Sequence, residues 1–295
     1  MFGLLPAQDP VGFHASGSLI ALLLLVGGLA GSFLHLDRPE RAWRSAAMWR
    51  TSWLSREVIA LPACMAVFAA WGLVHYSGWN PSLFMLGDSV EVDLSLLVGA
   101  VGTLLCFALF VCTGMIYACI KFLQEWATPL TVVNYTLLGS ASGFTLTTAF
   151  AAYQGSDLTP FYGGWAIILT LAALVTRISS LIRNAHIQHR STLRTAIGIR
   201  HARIAQKSQG FMTGSFNTRE FFHGASPCIF NLMKWLFLVL VFPVPIALLS
   251  LGLVAQAGTV FAIAFAVQYL GLMAERWFFF AQANHPQNLY YQTVG

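Results

Sequence analysis

The sequence predicts an all-α fold, a polytopic bundle of membrane-spanning helices, from three observations. Composition is the first: 57% of the residues are hydrophobic, 9% are charged and the mean hydropathy is +0.68, whereas soluble domains carry about 25% charged residues. Second, seven apolar runs approach or exceed the roughly 20 residues that a helix needs to cross a hydrocarbon core about 30 Å thick: 18–36, 56–76, 94–120, 130–152, 161–182, 230–254 and 258–280. Third, the charges are sorted. All 16 Lys and Arg residues lie in alternate loops or at the helix ends that adjoin them, while the opposite loops hold only Asp9, Asp88, Glu91, Asp93 and Asp157. A mis-drawn helix would scramble that pattern. By the positive-inside rule the basic loops and the C-terminus are expected in the cytoplasm.

Each element has its own signals. The first run ends at His35, and Pro39 prevents its continuation because proline lacks the N–H a helix interior needs. The residues before it show neither a basic n-region nor a small-residue cleavage pattern, so no signal peptide is expected, and no twin-arginine signal. The linker that follows sets Trp43, Trp49 and Trp53 among Arg38, Arg41, Arg44, Arg50 and Arg56, which reads as an amphipathic piece lying at the membrane interface. The second run opens near Ser55, Arg56 and Glu57. The fourth is unusually polar, with Asn134, Tyr135, Ser140, Ser142, Thr145 and Thr147; its Gly139 and Gly143 have the small-xxx-small spacing that favours close helix packing. Pro243 and Pro245 should kink the sixth run. Near the basic ends of the fifth and seventh runs, Arg177 and Glu275 are placed to neutralise each other inside the bundle.

No linker divides the chain, so residues 1–295 are read as one integral membrane domain. The long polar interval 183–229 carries Arg190, Arg194, Arg200, Arg203 and Lys207 with no acid before Glu220. It reads as a cytoplasmic docking surface for an acidic soluble partner, or as a loop attracted to anionic headgroups. A basic loop between membrane helices implies no nucleic-acid partner. Cys64, Cys106, Cys112, Cys119 and Cys228 form no C-x-x-C, so neither a zinc site nor an iron–sulfur cluster is expected, and no metal ligands are assigned. His14 and His75 fall near one face and His35 near the other, so no bis-histidine pair for a haem is apparent.

The segment LHLDRPERAWRSAAMWRTSWLSREV (34–58) concentrates the chemistry. Antiparallel first and second helices bring His35 and Glu57 to similar depth at the basic face. Ionisable groups there are expensive unless they act. A quinone head group needs a hydrogen-bonding partner for each carbonyl, a proton path to water and apolar walls for its tail. His35, with its near-neutral titration, suits one carbonyl; Glu57 suits the proton relay; Arg41 suits the charge on either. Two plainer readings stay open on these residues alone. Ser55 could cap the second helix, making Glu57 a favourable acid in its first turn, and His35 could simply end the first helix at the interface.

HLDRPERAW followed by TSWLSREV closely resembles the signature of the membrane-anchor subunits of dimethyl sulfoxide reductase-type molybdoenzymes. The resemblance runs on through MIYACIKFLQEW, PLTVVNYTLLGSASGF and AERWFFF. It implies a membrane anchor of a heterotrimeric complex in a bacterial cytoplasmic (inner) membrane. The implied partners are a ferredoxin-like iron–sulfur subunit and a molybdopterin catalytic subunit, which hold those cofactors and the substrate site. The resemblance also implies a quinone site, for ubiquinone or menaquinone, with His35, Glu57 and Arg41 as its reactive residues. Arg38, Trp53, Arg56 and Tyr135 are its further candidate contacts. SFNTREFFHG and the long loop around it are most similar to the membrane subunits of quinone-dependent sulfite dehydrogenases, which work on the cytoplasmic face. Electrons would then pass from sulfite to quinone; a dimethyl sulfoxide reductase-like complex would run the site as a quinol oxidase. The family usually has eight helices, and the one before position 18 is not seen in this sequence. A proton-coupled secondary transporter is the alternative from another class, but it predicts repeats and broken helices about a midplane site. A purely structural tether is the third reading.

Overall fold

The computed structural model describes residues 10–34, 36–86, 90–188, 192–201, 204 and 226–284. Helix α1 spans Pro10–Phe33, a 3-10 helix spans Pro39–Met48, and α2 spans Trp53–Ser77. A short antiparallel hairpin follows, β1 (Ser82–Leu86) with β2 (Val90–Asp93), pairing Phe84 with Val92 and Met85 with Glu91. Then come α3 (Leu94–Ala118), α4 (Pro129–Tyr153), α5 (Thr159–Ala185), the five-residue α6 (Leu193–Ile197), α7 (Pro227–Val241), α8 (Pro243–Ala255) and α9 (Gly258–Ala281). Among the described residues, six helices are long and apolar enough to cross a membrane: α1, α2, α3, α5, the α7–α8 pair and α9. The remaining expected run, 130–152, is the 25-residue α4, long enough to span but too polar to be counted with them.

That polarity is tolerable because α4 occupies the middle of the bundle, packed between α3, α5 and α9. Its hydroxyls bond back to the preceding turn, Thr145 to the Ala141 carbonyl at 2.9 Å and Thr148 to Phe144 at 2.7 Å. A hydroxyl satisfied in this way loses little in a dry environment. Gly139 lies against Phe110 of α3, where a Cβ would collide with the ring, but Gly143 faces open space. The two glycines therefore do not form one packing seam. Closer approaches of backbone occur at Gly114, whose Cβ would stand 2.8 Å from the Val132 Cα, and at Gly271, 2.8 Å from the Leu240 carbonyl carbon. Those two contacts join α3 to α4 and α7 to α9.

Helices α1, α2 and α3 pack in sequence and join the remainder mainly through α3 on α4. The core lies on the other side, where Leu138, Ala173, Phe237, Val241, Phe242 and Phe278 interlock. The bend expected near Pro243 falls at Phe242 (φ −113°, ψ −78°), which separates α7 from α8.

Three further expectations change. Helix α1 starts eight residues before the predicted run and ends at Phe33, short of position 35, because the chain turns ahead of Pro39. The cap of α2 is Ser52, which accepts from the Ser55 N–H at 3.4 Å; Ser55 is inside the helix and buried. Finally, the hairpin at 82–93 occupies an interval for which the sequence predicts only a loop.

Candidate functional site

With Ser52 as the cap, Glu57 sits in the second turn of α2 rather than the first. The helix macrodipole acts mainly within the first turn, so favourable placement at a helix start does not explain this carboxylate. Glu57 is half-buried and accepts a short hydrogen bond at Oε1 from the Thr113 hydroxyl of α3. Among the described residues no cation lies within ion-pair distance of it.

Thr113 and Tyr117 are four apart on α3 and so share one face. The Tyr117 ring stacks on Tyr135 of α4, centroids 5.7 Å apart with 16° between the planes. The Arg276 guanidinium of α9 lies 3.9 Å from the centre of the Tyr135 ring. Beside it, Glu275 receives Arg276 at 2.9 Å and Arg177 of α5 at 2.8 Å. Glu275 and Arg177 are buried, with side chains 1% and 3% exposed. Asn134 donates to the Ser180 hydroxyl at 2.7 Å next to this pair. A row of polar and aromatic side chains thus runs from Glu57 at the edge of the bundle to the Arg177–Glu275–Arg276 cluster at its centre. The cluster encloses a cavity of about 10 Å³, room for about one water.

The loop between α3 and α4 closes this end. Trp126 stacks on Phe279 (5.1 Å, 8°) and its indole N–H donates to the Phe279 carbonyl at 2.9 Å. Leu123, Trp126 and Ala283 are buried around it.

The expected Arg177–Glu275 pair forms, with Arg276 as a third member. Arg56 donates to the Trp49 carbonyl at 3.0 Å and to the Arg50 carbonyl at 2.9 Å, and its guanidinium lies 4.2 Å over the Trp53 ring. It fastens the end of the linker to the start of α2. Arg41 is exposed on the 3-10 helix, 3.9 Å from Glu40, and Arg38 is the exposed residue that precedes that helix. Neither reaches Glu57. His35 lies outside the described residues, as do Arg190, Arg203 and Lys207. Arg194 and Arg200 are exposed, Arg194 on α6, whose start is closed by a Thr192/Thr195 capping box.

Two members of the row were not anticipated. Thr113 is one of three Ser and Thr hydroxyls in an apolar helix, with Ser95 and Thr103, and Tyr117 sits one turn below it. Their shared face, opposite an ionisable residue on a neighbouring helix, was the available signal.

A bundle with a carboxylate at the mouth of its second helix, joined to the first by an arginine- and tryptophan-rich linker, defines a class. The chain belongs to the family of membrane anchor subunits of dimethyl sulfoxide reductase-type complexes: the family described as DMSO reductase anchor subunit (DmsC) matches residues 13–202. It is 57% identical over 290 residues to a sulfite dehydrogenase subunit of Allochromatium vinosum, covering 98% of this chain and 89% of that one. No solved structure matches it. The resemblance carried by the motifs thus extends over nearly the whole chain. This protein is a membrane anchor subunit of a multi-subunit oxidoreductase complex of that type.

Proposed function

We propose that this chain is the quinone-reactive subunit of its complex, exchanging electrons between an iron–sulfur partner and the membrane quinone pool at a site formed by Glu57, His35 and Arg41. The supporting observation is Glu57 itself. It is half-buried at the basic end of the bundle, bonded by one hydroxyl and matched by no cation among the described residues. A carboxylate so placed suits a proton relay between the site and the basic-side water. The described residues also supply a flanking wall in Trp53 and the apolar sides of α2 and α3, which fits a flat apolar carrier.

Bound quinone supplies a carrier of two electrons and two protons. Glu57 passes protons between the basic-side water and the site, and Thr113 fixes the orientation of its carboxylate. Arg56 holds the end of the linker against α2, and Arg38 and Arg41, on the linker itself, would meet the head group from the basic side. His35 lies two residues beyond the end of α1 and serves the second carbonyl. Tyr135, stacked behind Tyr117, belongs to the inner wall rather than to the contact surface.

Sulfite is the substrate assigned to the partner catalytic subunit, on the strength of the relative's name. Its oxidation to sulfate with water releases two electrons and two protons, which balances quinone reduction. In a dimethyl sulfoxide reductase-like complex the same residues would release protons instead. The basic loops and the C-terminus are placed in the cytoplasm of a bacterial inner membrane. There Arg194 and Arg200, with Arg190, Arg203 and Lys207, would meet the ferredoxin-like subunit and, through it, the molybdopterin subunit.

The test is an assay of the intact complex carrying Glu57→Gln or His35→Ala. Sulfite oxidation with a water-soluble artificial acceptor should persist while quinone-linked oxidation is lost. Retention of both would leave the chain a structural tether.

A further inference from the structure

Away from Glu57, the bend at Phe242 leaves a second feature. Helix α8 packs on α5 and α9, whereas α7 packs on α9 and diverges from α5. Between α5 and α7 runs a groove of about 890 Å³, open to the side of the bundle. Its walls are apolar, with Ile178 and Leu181 from α5, Leu238 from α7 and Ile246 from α8. Two groups of a different kind stand at the end nearest the basic loops, Lys234 and His186.

We propose that this groove is a binding site for an anionic phospholipid, its phosphate held by Lys234 and His186 and an acyl chain lying along α5 and α7. Charge selects the occupant. Neither α5 nor α7 contains an Asp or Glu, and among the described residues no acid lies within ion-pair distance of the half-buried Lys234. An ammonium in an apolar trough gains by meeting a phosphate at the headgroup level. His186 Nδ1–H donates to the Ile182 carbonyl at 2.8 Å, which fixes the ring at the groove mouth, and Nε2 donates to the phosphate when the ring carries its second proton. Trp235, exposed and also lining the groove, is the residue type that sits at the headgroup boundary.

Length agrees with the same occupant. From Leu171 to His186 the groove follows about 22 Å of helix, more than the roughly 15 Å of one leaflet, so a full acyl chain fits along it. A quinone does not explain the mouth, because its neutral head group requires no ammonium. Glu57, moreover, is on α2, which packs on α1, α3 and the 3-10 helix rather than on α5 or α7. The lipid site is therefore separate from the quinone site and independent of that assignment.

The experiment uses the complex as purified, exchanged into a neutral detergent and offered vesicles of phosphatidylglycerol or of phosphatidylcholine, with retained lipid counted by mass spectrometry. Phosphatidylglycerol should be retained over phosphatidylcholine, and Lys234→Gln should reduce that preference about fivefold, the effect of one lysine near an anionic surface. Ile178→Trp, which fills the groove at an exposed position and leaves the charge intact, should remove retention of both lipids. Quinone-linked turnover should be unchanged by Lys234→Gln. Equal retention of the two lipids, or a preference untouched by both variants, would overturn the proposal. So would cross-linking of two copies through Trp235→Cys in place of lipid, or displacement of the lipid by inorganic phosphate alone.

Discussion

Glu57 and Glu275 are both carboxylates within membrane helices, near the same end of the bundle, yet they are opposites in every physical respect. Glu275 is sealed at the centre between two arginines, at 2.8 and 2.9 Å, on helices that carry the core. Glu57 stands half-buried on α2 against α3, with a threonine hydroxyl as its bonded partner. The surroundings differ in the same sense: 28% of the α5 and α9 spans is buried, against 11% of α2 and 6% of α3. A charge matched by two guanidiniums in a tight core holds helices in place. A carboxylate that no cation among the described residues meets, in a loosely covered part of the bundle, holds no helices together in that way. The difference is that between a matched ion cluster, which holds helices together, and the acid that the proposed quinone site requires.

Breaking the inner cluster should have the largest effect. Glu275→Ala leaves Arg177 and Arg276 facing each other without a carboxylate, and removing one partner of a buried pair costs about 3–5 kcal/mol. We expect the anchor to be lost from the membrane fraction, or its melting temperature in detergent to collapse, with no assembled complex left to assay. Glu57→Gln should do the reverse. The complex should assemble in normal yield while quinone-linked turnover falls at least about 100-fold, the scale of a lost proton-transfer group. If both variants gave the same phenotype, the distinction between the two acids would disappear.

Thr113→Val sharpens the comparison on the side of Glu57. Loss of a hydrogen bond to a carboxylate is worth about 1.5–3 kcal/mol, so quinone-linked turnover should drop about tenfold or more. Thr113→Ser should restore it, because the hydroxyl rather than the methyl carries the role. Trp126→Phe probes the inner region more gently: it removes the bond to the Phe279 carbonyl and should lower stability by about 1 kcal/mol without changing the turnover of folded complex.

The smallest effect lies on the opposite face, at the cap of α3. Burial alone would raise the Asp93 carboxyl, but hydrogen bonds from the Leu96 N–H, the Asn80 amide and the Ser95 hydroxyl hold it below its ordinary value of 3.8. A carboxyl lowered by folding stabilises fully above the unfolded value and loses that contribution as pH falls through the folded one. Asp93→Ala should therefore cost about 1 kcal/mol near neutrality. The gap in melting temperature between variant and wild type should close progressively below pH 3.8.

Much of the scaffold was legible because hydrophobic length and charge sorting are one-dimensional signals. Apart from the start of α1, the membrane runs fall within a few residues of their helices, and the Arg177–Glu275 pair could be anticipated because two opposite charges in neighbouring runs must find each other or be expelled. The bend near Pro243 followed from a missing N–H. What escaped was set by packing in three dimensions. The cap of α2 is Ser52 rather than Ser55, since two serines three apart offer the same signal and only the path of the linker chooses. Gly139 meets Phe110 while Gly143 meets nothing, because spacing along a helix does not say which neighbour lies opposite. Thr113 carried no mark until α2 and α3 were set side by side. His35, central to the proposed chemistry, rests on sequence and resemblance.

Purifying the complex through a tag on this chain, in wild-type and Glu57→Gln forms, and measuring molybdenum, iron and bound quinone in each, tests the quinone assignment most directly. The wild type should carry all three, and the variant should keep both metals and lose the quinone. A variant that kept its quinone in full, or a wild-type chain that purified alone with no metal, would contradict it.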